Sequence, residues 1–351
     1  MGIIISLLAL GIVIFVHEMG HLIAAKKSGV GVHEFAVGMG PRIASKKWGE
    51  TTYSLRAFPF GGFVKLAGLD NEPNEEIPDS LKFQNKPMLN RMITIAAGSF
   101  FNIVFGFLLF IGIFCLIGVP QMNNTISKVM VGSPAASAGL KSGDQIVAIE
   151  SIPVHTPKKD IIETIQKHKD EPITIWIKRD GDTFSKIITP VENPQLAGKG
   201  MIGVVMGQST HRYSPIAAIG KGAQTTWLSM KMSLMGFKQL FTGAAKLKDM
   251  AGPIGIIQIA SFEFHDNLVG FFFFMATISI GLGVINMMPF PVLDGGHFTF
   301  LILETLRGKP LNEKTETIIT NIAVVLLISF MAIIVVNDLI QWPNRLNFLS
   351  K

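Results

Sequence analysis

Four long apolar runs dominate the hydropathy pattern, Gly2 to Ala25, Met92 to Val119, Leu268 to Phe290 and Thr317 to Val336. Each matches the ~20 mostly apolar residues with which a helix crosses the ~30 Å hydrocarbon core of a bilayer. Between the second and third runs, from about Gln121 to Gln208, short β-branched stretches alternate with turn signals instead. This pattern predicts strands over Thr125 to Val131, Gln145 to Glu150, Ile173 to Lys178 and Thr183 to Thr189, and a helix over Lys158 to His168. Arg179-Asp180-Gly181-Asp182 has the chemistry of a hairpin turn. The expected fold is a polytopic α-helical membrane protein of about four transmembrane helices with an inserted α+β domain.

Two further segments lie outside the spans. Tyr53 to Arg56 and Gly62 to Leu66 flank Ala57-Phe58-Pro59-Phe60-Gly61 and follow Gly38-Met39-Gly40-Pro41, which predicts a membrane-associated β-hairpin with an apolar tip. Its backbone can enter lipid only where protein or water satisfies it. From Pro215 to Leu247, apolar positions interleave with Lys221, Lys231, Lys238 and Lys246, the pattern of an amphipathic helix on a membrane surface. The expected organisation is residues 1–119 as the first half of a membrane core with the hairpin loop, and 120–208 as the inserted domain. Residues 209–260 are the amphipathic membrane-surface segment, and 261–351 the second half of the core.

Composition supports a membrane protein. The 351 residues are 48% hydrophobic and only 16% charged, with a mean hydropathy of +0.43, which excludes an ordinary soluble enzyme. The net charge of +6 raises nucleic-acid binding, but the basic residues are scattered beside the spans and carry no recognition motif, so no nucleic-acid partner is expected. They read as topology signals. Lys26 and Lys27 follow the first span and Lys86 and Arg91 precede the second, which places the hairpin loop in the cytoplasm. Both termini and the inserted domain are then extracytoplasmic. The first run has no basic region before it and carries polar residues in its second half, so it is a retained span rather than a secretory signal. The lone Cys115 reads as a small packing residue.

Those polar residues are His17-Glu18-Met19-Gly20-His21. Four helical residues turn the chain by about 400° and rise about 6 Å, so both imidazoles share one face and can meet one metal ion. Glu18, beside the first ligand, is placed for acid–base work. Such residues are costly inside a span unless they are functional. The third apolar run is broken by Pro289, Pro291, Gly295 and Gly296, and Asp294 at this break is free to complete a three-ligand zinc site. A proton or metal transporter could also hold intramembrane His and Asp, but it does not require a Glu beside a His ligand. His33-Glu34 is not a second such site, because Val37 stands where its second histidine would be needed. His297, after the Gly-Gly turn, reads as structural support for the ligands.

Taken together, His17 to His21, Gly38 to Pro41, Phe58 to Gly68, Gly98 to Asn102, Met250 to Pro253 and Asn286 to His297 resemble the site-2 protease family of intramembrane zinc metalloproteases. The resemblance covers nearly the whole chain and is closest to the bacterial regulator-of-sigma-E protease type. It implies one Zn2+ per chain held by His17, His21 and Asp294, with Glu18 as catalytic acid/base and Asn286 as a contact to substrate backbone. Gly61, Gly62 and Phe63 are candidates for pairing with the substrate strand. Gly132 to Ile146 is similar to the signature of a PDZ domain, whose groove would be Gly200, Met201, Ile202 and Gly203 facing the Lys158 to His168 helix. That domain either binds a peptide terminus or filters access by size. The implied activity is cleavage of transmembrane segments, such as those of anti-sigma factors or remnant signal peptides, in regulated intramembrane proteolysis at the bacterial cytoplasmic membrane. Two features depart from the family pattern: there is room for one PDZ domain where some relatives carry two, and Ser99 stands where a proline is expected.

Overall fold

The structure, a computed structural model, describes residues 2–69, 78–194 and 196–349. The chain forms two compact units, Gly118–Arg212 and the two segments that flank it.

The flanking unit begins with α1 (Gly2–Lys27), which ends where Gly29 turns left-handed at φ 70° behind Lys26 and Lys27. Next come β1 (Val32–Trp48) and β2 (Thr51–Leu66), two long and irregular strands. Residues 34–37 of β1 sit between two neighbours, Gly62 to Lys65 on one side and Thr52 to Leu55 on the other, while 44–48 pair with 51–55. The expected hairpin is thus corrected. Tyr53 to Arg56 and Gly62 to Leu66 do not pair with one another; both flank Glu34 to Val37. Glycines at positive φ bend the chain, Gly38 and Gly40 in β1 and Gly61 in β2, and so fold two strands into a sheet of four segments.

Glu34 in the central segment is buried, and it accepts hydrogen bonds from Ser54, Arg42 and Arg56. Burial opposes its ionisation, yet the Ser54 and Arg56 hydrogen bonds and the Arg56 and Arg42 charges outweigh it and hold the carboxyl below its ordinary value. Arg56 also donates to the Gly40 carbonyl and stacks on the Phe63 ring, 4.7 Å from its centroid. This one side chain ties β1 to the outer segment at Phe63.

α2 (Met88–Gly112) is continued by a π-type turn to Ile117. The inserted unit then contains β3 (Val119–Val129), the short α3 (Pro134–Ser137), β4 (Gln145–Ile149) and β5 (Ile152–Pro153). The expected Lys158 to His168 helix is a π-type turn over Lys158–Glu163 that runs into α4 (Thr164–Lys167). β6 (Ile173–Arg179), β7 (Asp182–Ile188), β8 (Val191–Asn193), β9 (Leu196–Met201) and β10 (Val204–His211) follow. The main sheet runs β10-β3-β4-β6-β7 with β5 on β4, and β8 pairs with β9 separately. Its core is rich in isoleucine, among them Ile126, Ile146, Ile175 and Ile177, each with no solvent exposure. This is the inward half of the period-two pattern.

The second half of the flanking unit contains α5 (Pro215–Phe241), α6 (Pro253–Asp266), α7 (Leu268–Asn286), α8 (Asp294–Arg307) and α9 (Glu313–Leu349). Ser214 caps α5, and Asp338 of α9 caps α6 by accepting from the Gly252 and Gly255 amides at 3.0 and 2.9 Å. The helices long and apolar enough to cross a bilayer span Gly2–Lys27, Met88–Ile117, Leu268–Asn286 and Lys314–Pro343, in register with the apolar runs. α2 packs against α1, α5, α7 and α8. Small residues let these helices approach: a β-carbon at Gly20 would lie 2.6 Å from the Ala97 carbonyl oxygen, and one at Gly283 would lie 2.7 Å from that of Ser99. The amphipathic α5 rests on α2 and α7, with Gly222 facing Phe107 and Ile111.

Candidate active site

α1 presents His17 and His21 on one face, as their four-residue spacing requires, and both are buried. The chain between α7 and α8 turns through the proline-containing stretch 287–293, and Asp294 opens α8. Gly295 and Gly296 make this turn possible, because a β-carbon at Gly296 would lie 2.5 Å from Pro291 Cα and one at Gly295 would collide with the Met287 and Met288 backbone. Asp294 Oδ2 lies 3.2 Å from His17 Nε2 and 3.3 Å from His21 Nε2, and the two nitrogens are 3.2 Å apart. These spacings fit a metal. Donors ~2.0–2.1 Å from a tetrahedral zinc stand about 3.3 Å from one another. Asp294 Oδ2 is also buried with no hydrogen-bond partner, as expected of an oxygen directed at an ion. Among the described residues these three form the one cluster of His, Cys, Asp or Glu able to hold a metal.

The surroundings orient the ligands. His21 Nδ1 lies 2.9 Å from the Thr94 carbonyl oxygen, an acceptor that leaves Nε2 free for the metal. His17 Nδ1 faces the Asn102 amide at 3.4 Å, and its Nε2 faces the Asn286 amide at 3.3 Å. Gly98 of α2 lies against both rings, and a β-carbon there would come within 2.8 Å of His17 Cε1. Gly62 lies beneath Glu18, where a β-carbon would stand 3.2 Å from Glu18 Cγ. The ring of Phe63 is instead held by Arg56. The site thus brings together His17, Glu18, His21, Gly62, Asn286 and Asp294. Sequence reasoning did not assign Thr94, Gly98 or Asn102 a role, although a polar Asn102 inside an apolar run was a usable signal.

Residues 5–330 match the model of peptidase family M50. The chain belongs to that family. Relatives of this M50 peptidase include a Clostridium perfringens protein named as a candidate zinc metalloprotease, 33% identical over 97% of this chain and 99% of the relative. The regulator of sigma-W protease RasP of Bacillus subtilis is 28% identical over 96% of this chain and 98% of its own. The chloroplastic membrane metalloprotease ARASP of Arabidopsis thaliana is 32% identical over 93% and 76%. This M50 peptidase is accordingly a multi-pass bacterial membrane protein of the site-2 protease family, a metalloendopeptidase whose cofactor is zinc.

Gly200, Met201, Ile202 and Gly203 form one wall of a cleft of about 230 Å³ in the inserted unit, opposite Ile161, Ile165 and Gln166. His297 lines a cavity of about 310 Å³ together with Gln84, Arg91 and Glu304. Arg91 and Glu304 form a two-bond ion pair there, at 2.8 and 2.9 Å, that fastens α8 to α2.

Proposed function

We propose that His17, His21 and Asp294 are the zinc ligands of an endopeptidase that cleaves transmembrane segments within the bilayer, with Glu18 as its acid/base. The observation that carries this reading is the convergence of three buried donor atoms 3.2–3.3 Å apart beside a glutamate. When bound, zinc supplies Lewis-acid polarisation of the scissile carbonyl and acidifies water at the site. Glu18 removes the proton from the attacking water and delivers it to the leaving amine. Asn286, at the metal-facing nitrogen of His17, donates its amide to a substrate carbonyl oxygen.

The substrate, unwound for cleavage, needs a backbone partner in lipid. Gly61, Gly62 and Phe63 supply it as the sheet edge beside Glu18, where the missing side chain at Gly62 brings that edge close to the acid/base. The opposite edge, Ala44 to Trp48, carries Lys46 and Lys47, residues that discourage pairing. Substrates of the anti-sigma factor or remnant signal peptide class, cut in regulated intramembrane proteolysis, suit a relative named as a regulator of sigma-W. The inserted unit acts as an extracytoplasmic PDZ domain. Its Gly200 to Gly203 cleft takes a peptide end, or its bulk excludes intact ectodomains.

The test measures zinc and cleavage of a model transmembrane substrate in detergent. Glu18→Gln retains about one zinc per chain and loses cleavage, whereas Asp294→Ala loses zinc. Full zinc in a His17→Ala, His21→Ala double variant would sink the assignment.

A further inference from the structure

We infer that Asn102 is the positioning residue for His17: its side-chain oxygen accepts the Nδ1 proton and fixes the imidazole with Nε2 toward the metal. This rests on the ligand assignment proposed above and adds a residue to it. Asn102 is fully buried in the middle of an apolar span, where an amide without a purpose is costly. His17 Nε2 stands 3.2 Å from both Asp294 Oδ2 and His21 Nε2, so Nε2 is the ligating atom. A neutral imidazole that ligates through Nε2 carries its proton on Nδ1, and the group facing Nδ1 must therefore accept. The amide nitrogen faces Nδ1 at 3.4 Å, while Oδ1 is buried without a partner. Amide oxygen and nitrogen exchange places by a half-turn, and the half-turned orientation is the one a zinc-bound His17 requires.

α2 then provides an acceptor for each imidazole, the Thr94 main-chain oxygen for His21 and the Asn102 side chain for His17. The position of Asn102 is itself fixed. Ser279 Oγ donates to the Asn102 carbonyl at 2.9 Å, and Gly283 lets α7 close to within 3.3 Å of Asn102 Cβ, measured from a β-carbon placed at that glycine. Asn102 touches the outer side of the ring, whereas Asn286 lies at the metal-facing nitrogen.

The experiment is zinc affinity of the full-length protein in detergent, read by competition with a fluorescent chelator, with melting of the zinc-free protein as a folding control. Asn102→Leu, which keeps the volume and removes the acceptor, weakens zinc binding by about 10–100-fold. Asn102→Asp keeps an acceptor and binds within a few-fold of wild type. Should Asn102→Leu fail to fold, Asn102→Ser, too short to reach Nδ1, takes its place with the same expected loss. Wild-type affinity in the variant without an acceptor, or equal losses with Asp and Leu, would overturn the inference. His17→Ala separates the two readings: zinc retained in that variant defeats the ligand assignment itself, whereas zinc lost there but kept in Asn102→Leu defeats Asn102 alone.

Discussion

Gly98 of α2 lies directly against the metal-facing edge of His21, with no room for a side chain between them. A methyl group there would press on His21 Nε2 and approach His17 Cε1 to 2.8 Å, so the absence of a side chain at residue 98 sets where two ligands on another helix can stand. The two helices are already closely packed where Gly20 meets the Ala97 carbonyl, so the rings rather than the backbones must give way.

Gly98→Ala is therefore expected to lower zinc affinity about tenfold or more, since the imidazoles must rotate off the shared metal position. Chelator competition on the purified variant measures this. Unchanged affinity would mean that α1 and α2 separate easily, contrary to the close packing at Gly20.

The contact between Gly62 and Glu18 predicts a different phenotype. Gly62→Ala places a methyl group 2.9 Å from the Ala36 carbonyl oxygen and 3.2 Å from Glu18 Cγ, so zinc content stays near wild type while kcat/KM falls about 10–100-fold. Phe63→Leu, on the face held by Arg56, costs less than this. A larger loss at residue 63 than at residue 62 would argue against Gly62 as the point where the sheet edge meets the acid/base.

Topology is tested by labelling. In a Cys115→Ala background, a Ser45→Cys variant is expected to be shielded from an impermeant thiol reagent in intact cells, and a Ser185→Cys variant to be labelled, from the basic residues that flank the first two spans. The reverse pattern would invert the orientation.

Stability of the inserted unit depends on pH through Asp144, which is 1% exposed and receives Arg179 at 2.6 and 2.8 Å. Burial opposes its ionisation, but Arg179 and the Lys141 amide outweigh burial and hold the carboxyl below its ordinary value. A native value below the unfolded ~3.9 means that this stabilisation is complete above about pH 5 and is lost as pH falls through 3.9 toward the native value. Asp144→Asn should cost about 1–3 kcal/mol at neutral pH and flatten that acid dependence. Urea unfolding followed by Trp176 fluorescence, with Trp48, Trp227 and Trp342 replaced by Phe, reads both. Parallel acid sensitivity in wild type and variant would assign it to other groups.

Much of this architecture was legible in one dimension. Apolar length marked the spans that α1, α2, α7 and α9 occupy, and period-two alternation marked the strands of the inserted unit. A four-residue spacing put His17 and His21 on one face, and the Pro and Gly residues around Asp294 marked the helix break from which it reaches them. These features are local, because spacing along a helix or strand fixes which face a side chain occupies before any partner is known.

Only the tertiary structure decided who meets whom. The pairing of both hairpin segments with Glu34 to Val37 is not legible in the sequence, because Glu34, a charged residue, is tolerated in the sheet interior only through Ser54, Arg42 and Arg56, which lie 8–22 residues away. Asn102 meets His17 across 85 positions, and Asn286 meets it across 269. Periodicity records that a position is buried but carries no information about the partner, which is set by close helix contacts at Gly20, Gly98 and Gly283.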